Sequence, residues 1–173
     1  VFDLGISSMQ IDIAERGFSF RADAPLDMRM SADGMTALDL IRQKSVAEIA
    51  QILRDWGDVK KAAVLARVIK DVMPQTTLAL RDLIHNPRDV APVFQALRIA
   101  VNDEMGELER ALAVVPDLLV SGGKCICVTF HSLEDRYVKN VFRDWTTAPG
   151  DPRMPVVADA PFRLLKTALP DEV

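Results

Sequence analysis

Cysteine and histidine are scarce in this 173-residue chain, which has two residues of each. A structural zinc site takes four Cys or His ligands, usually in closely spaced pairs. Here the only histidines, His85 and His131, stand far apart in the sequence, so the sequence predicts no metal site. Cys125 and Cys127 stand one residue apart, where a disulfide between strand neighbours has poor geometry. We therefore interpret them as buried free thiols, which indicates a protein of the reducing cytoplasm.

Long apolar stretches are also missing, because no run reaches the roughly 20 residues that a membrane-spanning helix needs. The first residues resemble a core strand rather than a signal peptide. Since the chain opens at Val1 inside that strand, we expect it to be a piece of a longer protein. The net charge of −4 argues against a protein that coats nucleic acid without specificity, although it permits a local basic patch.

Two catalytic signatures are absent as well. No Gly-x-Ser-x-Gly elbow accompanies His131, which argues against a hydrolase triad. No Gly-x-Gly-x-x-Gly fingerprint is present either, which argues against a nicotinamide-dependent enzyme.

What is present is an alternation of strand and helix signals. Residues 1–4 and 124–130 are short apolar runs, and the second has apolar residues on both faces, as in a central parallel strand. The spacing of apolar residues over 94–112 predicts one long helix. Strands alternating with helices predict an α/β fold. Because the helical block between the strands exceeds the dozen or so residues of a simple crossover, we interpret it as an inserted subdomain.

Helix starts are marked by polar residues that can satisfy the free amides of a first turn. Thr36 with Asp39 and Ser45 with Glu48 both have the spacing of a capping box. A further helix is predicted to start at Asp58, and Thr77 and Ser132 are predicted helix caps, the last with Asp135 completing the box.

Polar side chains follow both predicted strands, where open α/β sheets bind their ligands. Asp3 ends the first run, and it could either contact a ligand or cap a turn. His131 and Ser132 follow the second run. Ser132 is better explained as a helix cap than as a nucleophile. His131 could equally be a histidine whose ring nitrogens are hydrogen-bonded within the protein at a strand end.

The stretch "AERGFSFRADAPLDMRM" alternates arginines with aromatic and Met side chains. Single-stranded RNA is held by guanidinium groups on phosphates and by rings stacked on bases, so Arg16, Phe18, Phe20 and Arg29 are candidate RNA contacts. The alternative is an ordered loop whose aromatic rings fill a seam between subdomains.

Taken together, "DLGISSMQID", "ERGFSF", "PLDMRM", "FQALRIAVNDEMGELE" and "FHSLEDR" resemble the signature blocks of the MraW (RsmH) family of small-subunit rRNA cytosine-N4 methyltransferases. The resemblance implies a partial Rossmann-like sheet that uses S-adenosyl-L-methionine, with an inserted all-helical subdomain. It implies methyl transfer to the N4 amine of a cytidine in the decoding centre, with the small ribosomal subunit as partner and no membrane. It also implies that the chain is truncated at both ends.

By the same resemblance, Asp3 and Gln10 fall on positions that bind the methyl donor. The candidate substrate contacts are Ser7, Ser8, Arg16, Phe18, Phe20, Arg29 and His131. The expected organisation is a methyltransferase core in 1–13 and 93–145, a helical recognition subdomain in 14–92, and an irregular segment in 146–173. The alternative function is a non-catalytic RNA-binding or ribosome-assembly protein that has lost the donor site.

Overall fold

The computed structural model describes residues 1–147 and 162–165, apart from the side chains of Ser8 and Met9. The chain divides into two compact units. One consists of Val1–Gly5 together with the chain from Leu112 onward, and the other of Ile6–Ala111. The predicted irregular segment of residues 146–173 lies mostly outside the described residues.

The described residues are mainly helical. The elements in chain order are β1 (Phe2–Asp3), α1 (Ser8–Asp12), a 3-10 helix (Ala14–Arg16), α2 (Ala37–Gln43), α3 (Val46–Gly57), α4 (Ala62–Val72), α5 (Thr77–Asp82), α6 (Pro87–Asn102), α7 (Glu104–Leu118), β2 (Cys127–Val128) and α8 (Ser132–Thr146). None of these helices combines the length and apolar character needed to span a bilayer.

The two strands pair in parallel, with Phe2 beside Cys127 and Asp3 beside Val128. Phe2 N donates to Ile126 O at 2.8 Å, and Leu4 N donates to Val128 O at 3.1 Å. The parallel pairing agrees with the α/β prediction. The strands are shorter than predicted, because Gly5 at φ +89° turns the chain away from β2 after only two paired residues.

The prediction that residues 124–130 are buried on both faces was wrong. Ile126, Val128 and Phe130 are exposed, whereas Cys125, Cys127 and Thr129 between them are half-buried. Within this unit, therefore, the segment has one covered and one open face.

The unit of residues 6–111 is built on close packing of α3 against α6 and α4. Its apolar core includes side chains from all three helices, among them Ile49, Leu53, Ile69, Val93 and Leu97. The approach of α3 to α6 depends on Gly57, since a Cβ there would lie 2.7 Å from the Pro92 carbonyl oxygen. A glycine at the end of α3 thus permits backbone-to-backbone contact.

Both predicted capping boxes are confirmed. The Thr36 side chain accepts from Asp39 N while the Asp39 carboxylate accepts from Thr36 N, and Ser45 and Glu48 do the same. The Ser45 backbone N–H, followed by the Lys44 ammonium, lowers the pKa of Glu48 to about 2. The carboxylate therefore stays ionised, and the box intact, until the pH falls well below the usual range of a glutamate.

The far end of α2 is satisfied by a cation from another helix. Lys70 in α4 donates from Nζ to the carbonyl oxygens of Ile41, Arg42 and Lys44 at 2.7–2.8 Å. Such a positive charge suits the negative end of a helix dipole. Lys70 therefore joins α4 to α2, a structural role within a segment that the sequence shows only as basic.

The single helix predicted over 94–112 was wrong in both its start and its continuity. Asn86 caps α6 and Pro87 takes its first position, so the helix begins earlier. Asp103, in the left-handed conformation at φ +49°, then separates α6 from α7. Asx residues tolerate that conformation better than most, which makes the break possible without glycine.

One predicted helix start and two predicted helix caps were displaced. Asp58 is the left-handed C-cap of α3 rather than the start of α4, which begins at Ala62. Thr76 caps α5, and Thr77 is its first residue. At α8 the cap is His131, not Ser132. At α5 and α8 the residue before the predicted cap also carries a side-chain hydrogen-bond acceptor, so the spacing of polar residues does not distinguish the two positions.

Candidate active site

The end of β1 presents a carboxylate and a tight turn. Asp3 is exposed, and its side chain has no hydrogen-bond or ion-pair partner among the described residues. The chain turns two residues later at Gly5, where a Cβ would lie 3.2 Å from Cδ2 of Phe130. An acceptor without a protein partner at the carboxyl end of a parallel strand can receive hydrogen bonds from a ligand hydroxyl or amine.

The end of β2 is organised by a buried glutamate. Glu134 is only 4% exposed, and its Oε2 accepts from Phe130 N at 3.1 Å. Its own backbone N donates to His131 Nδ1 at 3.4 Å. Because Nδ1 accepts, a neutral His131 ring has its proton on Nε2, which lies 3.0 Å from Glu134 Oε1 but outside hydrogen-bond geometry. His131 thus caps α8 and is packed beside a carboxylate.

Four of the predicted site residues fall in two different units. Asp3 and His131 belong to the unit that contains the sheet, whereas Ser7 and Gln10 belong to the helical unit. Gln10 Oε1 accepts from Ser7 N at 2.8 Å, which leaves its NH2 group available to a ligand. Ser8 opens α1, and its side chain is outside the described residues.

In the predicted RNA-contact loop, Arg16 is bound to the loop itself. Its Nη2 donates to the carbonyl oxygens of Arg29 and Met30, each at 2.9 Å, and its guanidinium carbon lies 5.6 Å from the centre of the Phe18 ring. Phe18 is buried in the apolar core of the helical unit. These contacts support the alternative interpretation of an ordered, packed loop, and RNA binding by Arg16 and Phe18 stays a prediction.

The other two loop candidates are also engaged within the helical unit. Arg29 pairs with both oxygens of Asp27 at 2.8 Å, and this hydrogen-bonded contact lowers the pKa of the Asp27 carboxyl. Phe20 packs edge-on against Phe94, with ring centres 5.2 Å apart. RNA contacts from Phe20 and Arg29 likewise stay a prediction.

Asn102 is a positioning residue whose role the sequence did not indicate. At the last residue of α6, its Oδ1 accepts from Met30 N at 2.7 Å, while its Nδ2 donates to Met28 O at 2.8 Å and Arg98 O at 2.9 Å. It thereby pairs with the backbone of a loop more than seventy residues earlier. In the sequence, helical spacing places Asn102 beside the apolar stripe of the helix, but this does not show which backbone groups its side chain would bind.

The two thiols are free and half-buried. Burial, and then the neighbouring Cys125, raises the pKa of Cys127 to about 12. Because the thiolate is the reactive form, Cys127 is unsuited to act as a nucleophile near neutral pH.

Comparison with known proteins gives one consistent family. The model of the "MraW methylase family" matches residues 1–168. A relative from Gluconobacter oxydans, "Ribosomal RNA small subunit methyltransferase H", is 49% identical over 164 residues, covering 88% of this chain and 51% of the relative. A protein of that name from Granulibacter bethesdensis is 47% identical, covering 95% of this chain and 55% of the relative.

A third protein of that name, from Sinorhizobium fredii, is 46% identical and covers 94% of this chain and 52% of its own length. The chain thus spans about half the length of the curated relatives it matches. A family model that covers nearly the whole chain, together with these identities, shows that the chain belongs to the MraW methylase family.

Proposed function

We propose that this chain takes part in methyl transfer from S-adenosyl-L-methionine to the N4 amine of a cytidine in the decoding centre of small-subunit rRNA. The observation that carries the proposal is the family match over residues 1–168, joined to relatives named for methylation of small-subunit rRNA. Small ribosomal subunits would be its partners, and the cytoplasm its place of action.

The proposed fold is part of a Rossmann-like methyltransferase sheet that contains β1 and β2, with a helical subdomain inserted between them. The parallel pairing of two strands separated by more than 120 residues supports this arrangement. The proposed boundaries remain residues 14 and 92 for the insertion and 145 for the end of the core. The observed helical unit, Ile6–Ala111, is longer at both ends.

The residues available to a methyl donor fit that ligand. Asp3 offers a carboxylate that has no partner in the described part of the chain and is suited to accept from a hydroxyl or an ammonium group, and Gln10 offers its NH2 group. S-adenosyl-L-methionine supplies an electrophilic methyl group when bound. The part we assign to Asp3 and Gln10 is to bind and orient the donor.

The chemistry of cytosine N4 defines what the remaining residues must do. The lone pair of this amine is delocalised into the ring, so catalysis rests on orientation and on acceptors that stabilise charge developing at the amine. A base in folded RNA must also leave its stack to reach a pocket. We propose that seven residues contact the substrate, either directly or by shaping the loop that meets the RNA: Ser7, Ser8, Arg16, Phe18, Phe20, Arg29 and His131.

The proposal predicts that the protein transfers label from methyl-labelled S-adenosyl-L-methionine to small ribosomal subunits lacking the modification, and not to large subunits. In calorimetric titration with S-adenosylhomocysteine, Asp3→Ala is expected to weaken binding by about 1–3 kcal/mol, the cost of leaving buried ligand donors unpaired. Asp117→Ala, which removes an exposed carboxylate from α7, is the matched control and should bind as the wild type does.

Two outcomes would count against the proposal. Unchanged affinity in Asp3→Ala would remove Asp3 from the donor site. Salt-sensitive binding of RNA without any methyl transfer would instead favour the non-catalytic RNA-binding function.

A further inference from the structure

Phe130 is an aromatic side chain left open at the ligand-binding edge of the sheet. It is 69% exposed, although it lies only two residues beyond β2. The register that sets Asp3 beside Val128 places Phe130 level with Gly5, just past the carboxyl ends of both strands. Single exposed apolar residues are ordinary on protein surfaces, so the position of Phe130 becomes informative only together with what holds it there.

Two contacts fix the Phe130 residue. Its ring lies against the Gly5 turn, where a Cβ would lie 3.2 Å from Cδ2 and 3.7 Å from Cγ. Its backbone N donates to the buried Glu134 carboxylate at 3.1 Å. Cγ and Cδ2 of the ring therefore lie close to Gly5, where any side chain would crowd them, and the Phe130 peptide is hydrogen-bonded to a residue in the first turn of α8. These two contacts hold the base of a ring that is otherwise exposed.

From this geometry we propose that the open face of Phe130 stacks on a nucleobase. The inference rests on the proposed function and assigns one contact within the same site. A preplaced ring costs little entropy on binding, and base–aromatic stacking depends on the flat face that every nucleobase has. The base comes from one of two sources: the target nucleotide of the RNA, or the adenine of the methyl donor.

Ile126 provides a matched control on the same strand. It is on the same open face as Phe130 and is also exposed, at 50%, but it lies four residues earlier, away from the carboxyl edge. A tryptophan at either position would report on its surroundings, since stacking of a base quenches indole fluorescence.

The test compares Phe130→Trp with Ile126→Trp by fluorescence titration. One arm uses a single-stranded RNA oligonucleotide with one cytidine, beside the same oligonucleotide with an abasic residue at that position. The other arm uses S-adenosylhomocysteine. We expect quenching in Phe130→Trp only; quenching by the cytidine oligonucleotide assigns the RNA base, and quenching by S-adenosylhomocysteine assigns the donor adenine. No quenching by either probe would overturn the inference.

Kinetics of the methyl transfer give the second readout. Phe130→Ala is expected to raise the KM of the stacked substrate by about 5- to 100-fold, with Phe130→Trp near the wild type, because stacking contacts have about that effect on affinity per base. Ile126→Ala should leave KM unchanged. Equilibrium quenching without turnover would sustain the stacking inference while refuting methyl transfer; turnover with unchanged KM in Phe130→Ala would refute the stacking alone.

Discussion

Gly17→Ala is expected to lower the free energy of unfolding by about 2–5 kcal/mol, because two costs combine at this residue. Its φ of +72° lies in the left-handed region, which strains any residue with a Cβ. The added Cβ would also meet the carbonyl oxygen of Pro25 and lie 2.9 Å from Asp27 N. Both opposing atoms belong to backbone, so the clash cannot be relieved by turning a side chain.

Urea unfolding followed by circular dichroism measures this effect. Gly34→Ala is the matched control, since Gly34 has φ +100° in the same unit but no atom of the described residues within 4 Å of its would-be Cβ. Gly34→Ala is therefore expected to lower the free energy of unfolding by only about 1–2 kcal/mol, the cost of the left-handed conformation. Equal losses in the two variants would show that the packing of Gly17 against residues 25–27 adds nothing.

Asn102→Leu has the second large effect, a loss of about 2–5 kcal/mol in unfolding free energy. The variant keeps the number and branching of the side-chain heavy atoms but leaves Met30 N and Met28 O without their side-chain partner, and each unsatisfied buried group costs about 1–3 kcal/mol. Met28 stands at φ +62° without being glycine, so the contact with Asn102 also supports a strained backbone.

Hydrogen exchange separates this mechanism from a general loss of stability. In Asn102→Leu, the Met30 amide should exchange faster by more than the global change in stability explains, because its acceptor has gone. Asn102→Asp keeps an acceptor for Met30 N but sets a carboxylate against the Met28 and Arg98 carbonyl oxygens, and it should not restore stability. An unchanged Met30 exchange rate in Asn102→Leu would contradict the role assigned to Asn102.

Features set by neighbouring residues could be predicted from the sequence. Thr36 and Ser45 cap their helices as expected, because a capping box needs only a short polar side chain and an acidic residue three positions later. The parallel relation of the two strands followed from their apolar character and from the helices between them.

Features that depend on contacts between residues far apart in the sequence could not be predicted from it. Continuous apolar spacing predicts one helix through Asp103, and nothing local shows that the residue adopts φ +49° and divides it. The arginines of the 16–30 loop have the composition of an RNA contact. Only the fold shows that Arg16 donates to carbonyl oxygens thirteen and fourteen residues ahead.

The same distinction between local signals and distant contacts applies to the candidate site. Asp3 became a candidate because of its place after an apolar run and because of its motif, both of which are local signals. Phe130 was not a candidate in the sequence because it ends an apolar run and so resembles one more strand residue. Its placement depends on the turn at Gly5 and on the buried Glu134.

The measurement that tests the central claim most directly is nucleoside mass spectrometry of small-subunit rRNA, after incubation with the protein and a donor whose methyl group is deuterated. The account predicts at most one trideuterated N4-methylcytidine per small-subunit rRNA, with the yield lowered in Asp3→Ala and kept in Asp117→Ala. Label in any other nucleoside, or no label in small-subunit rRNA, would contradict it.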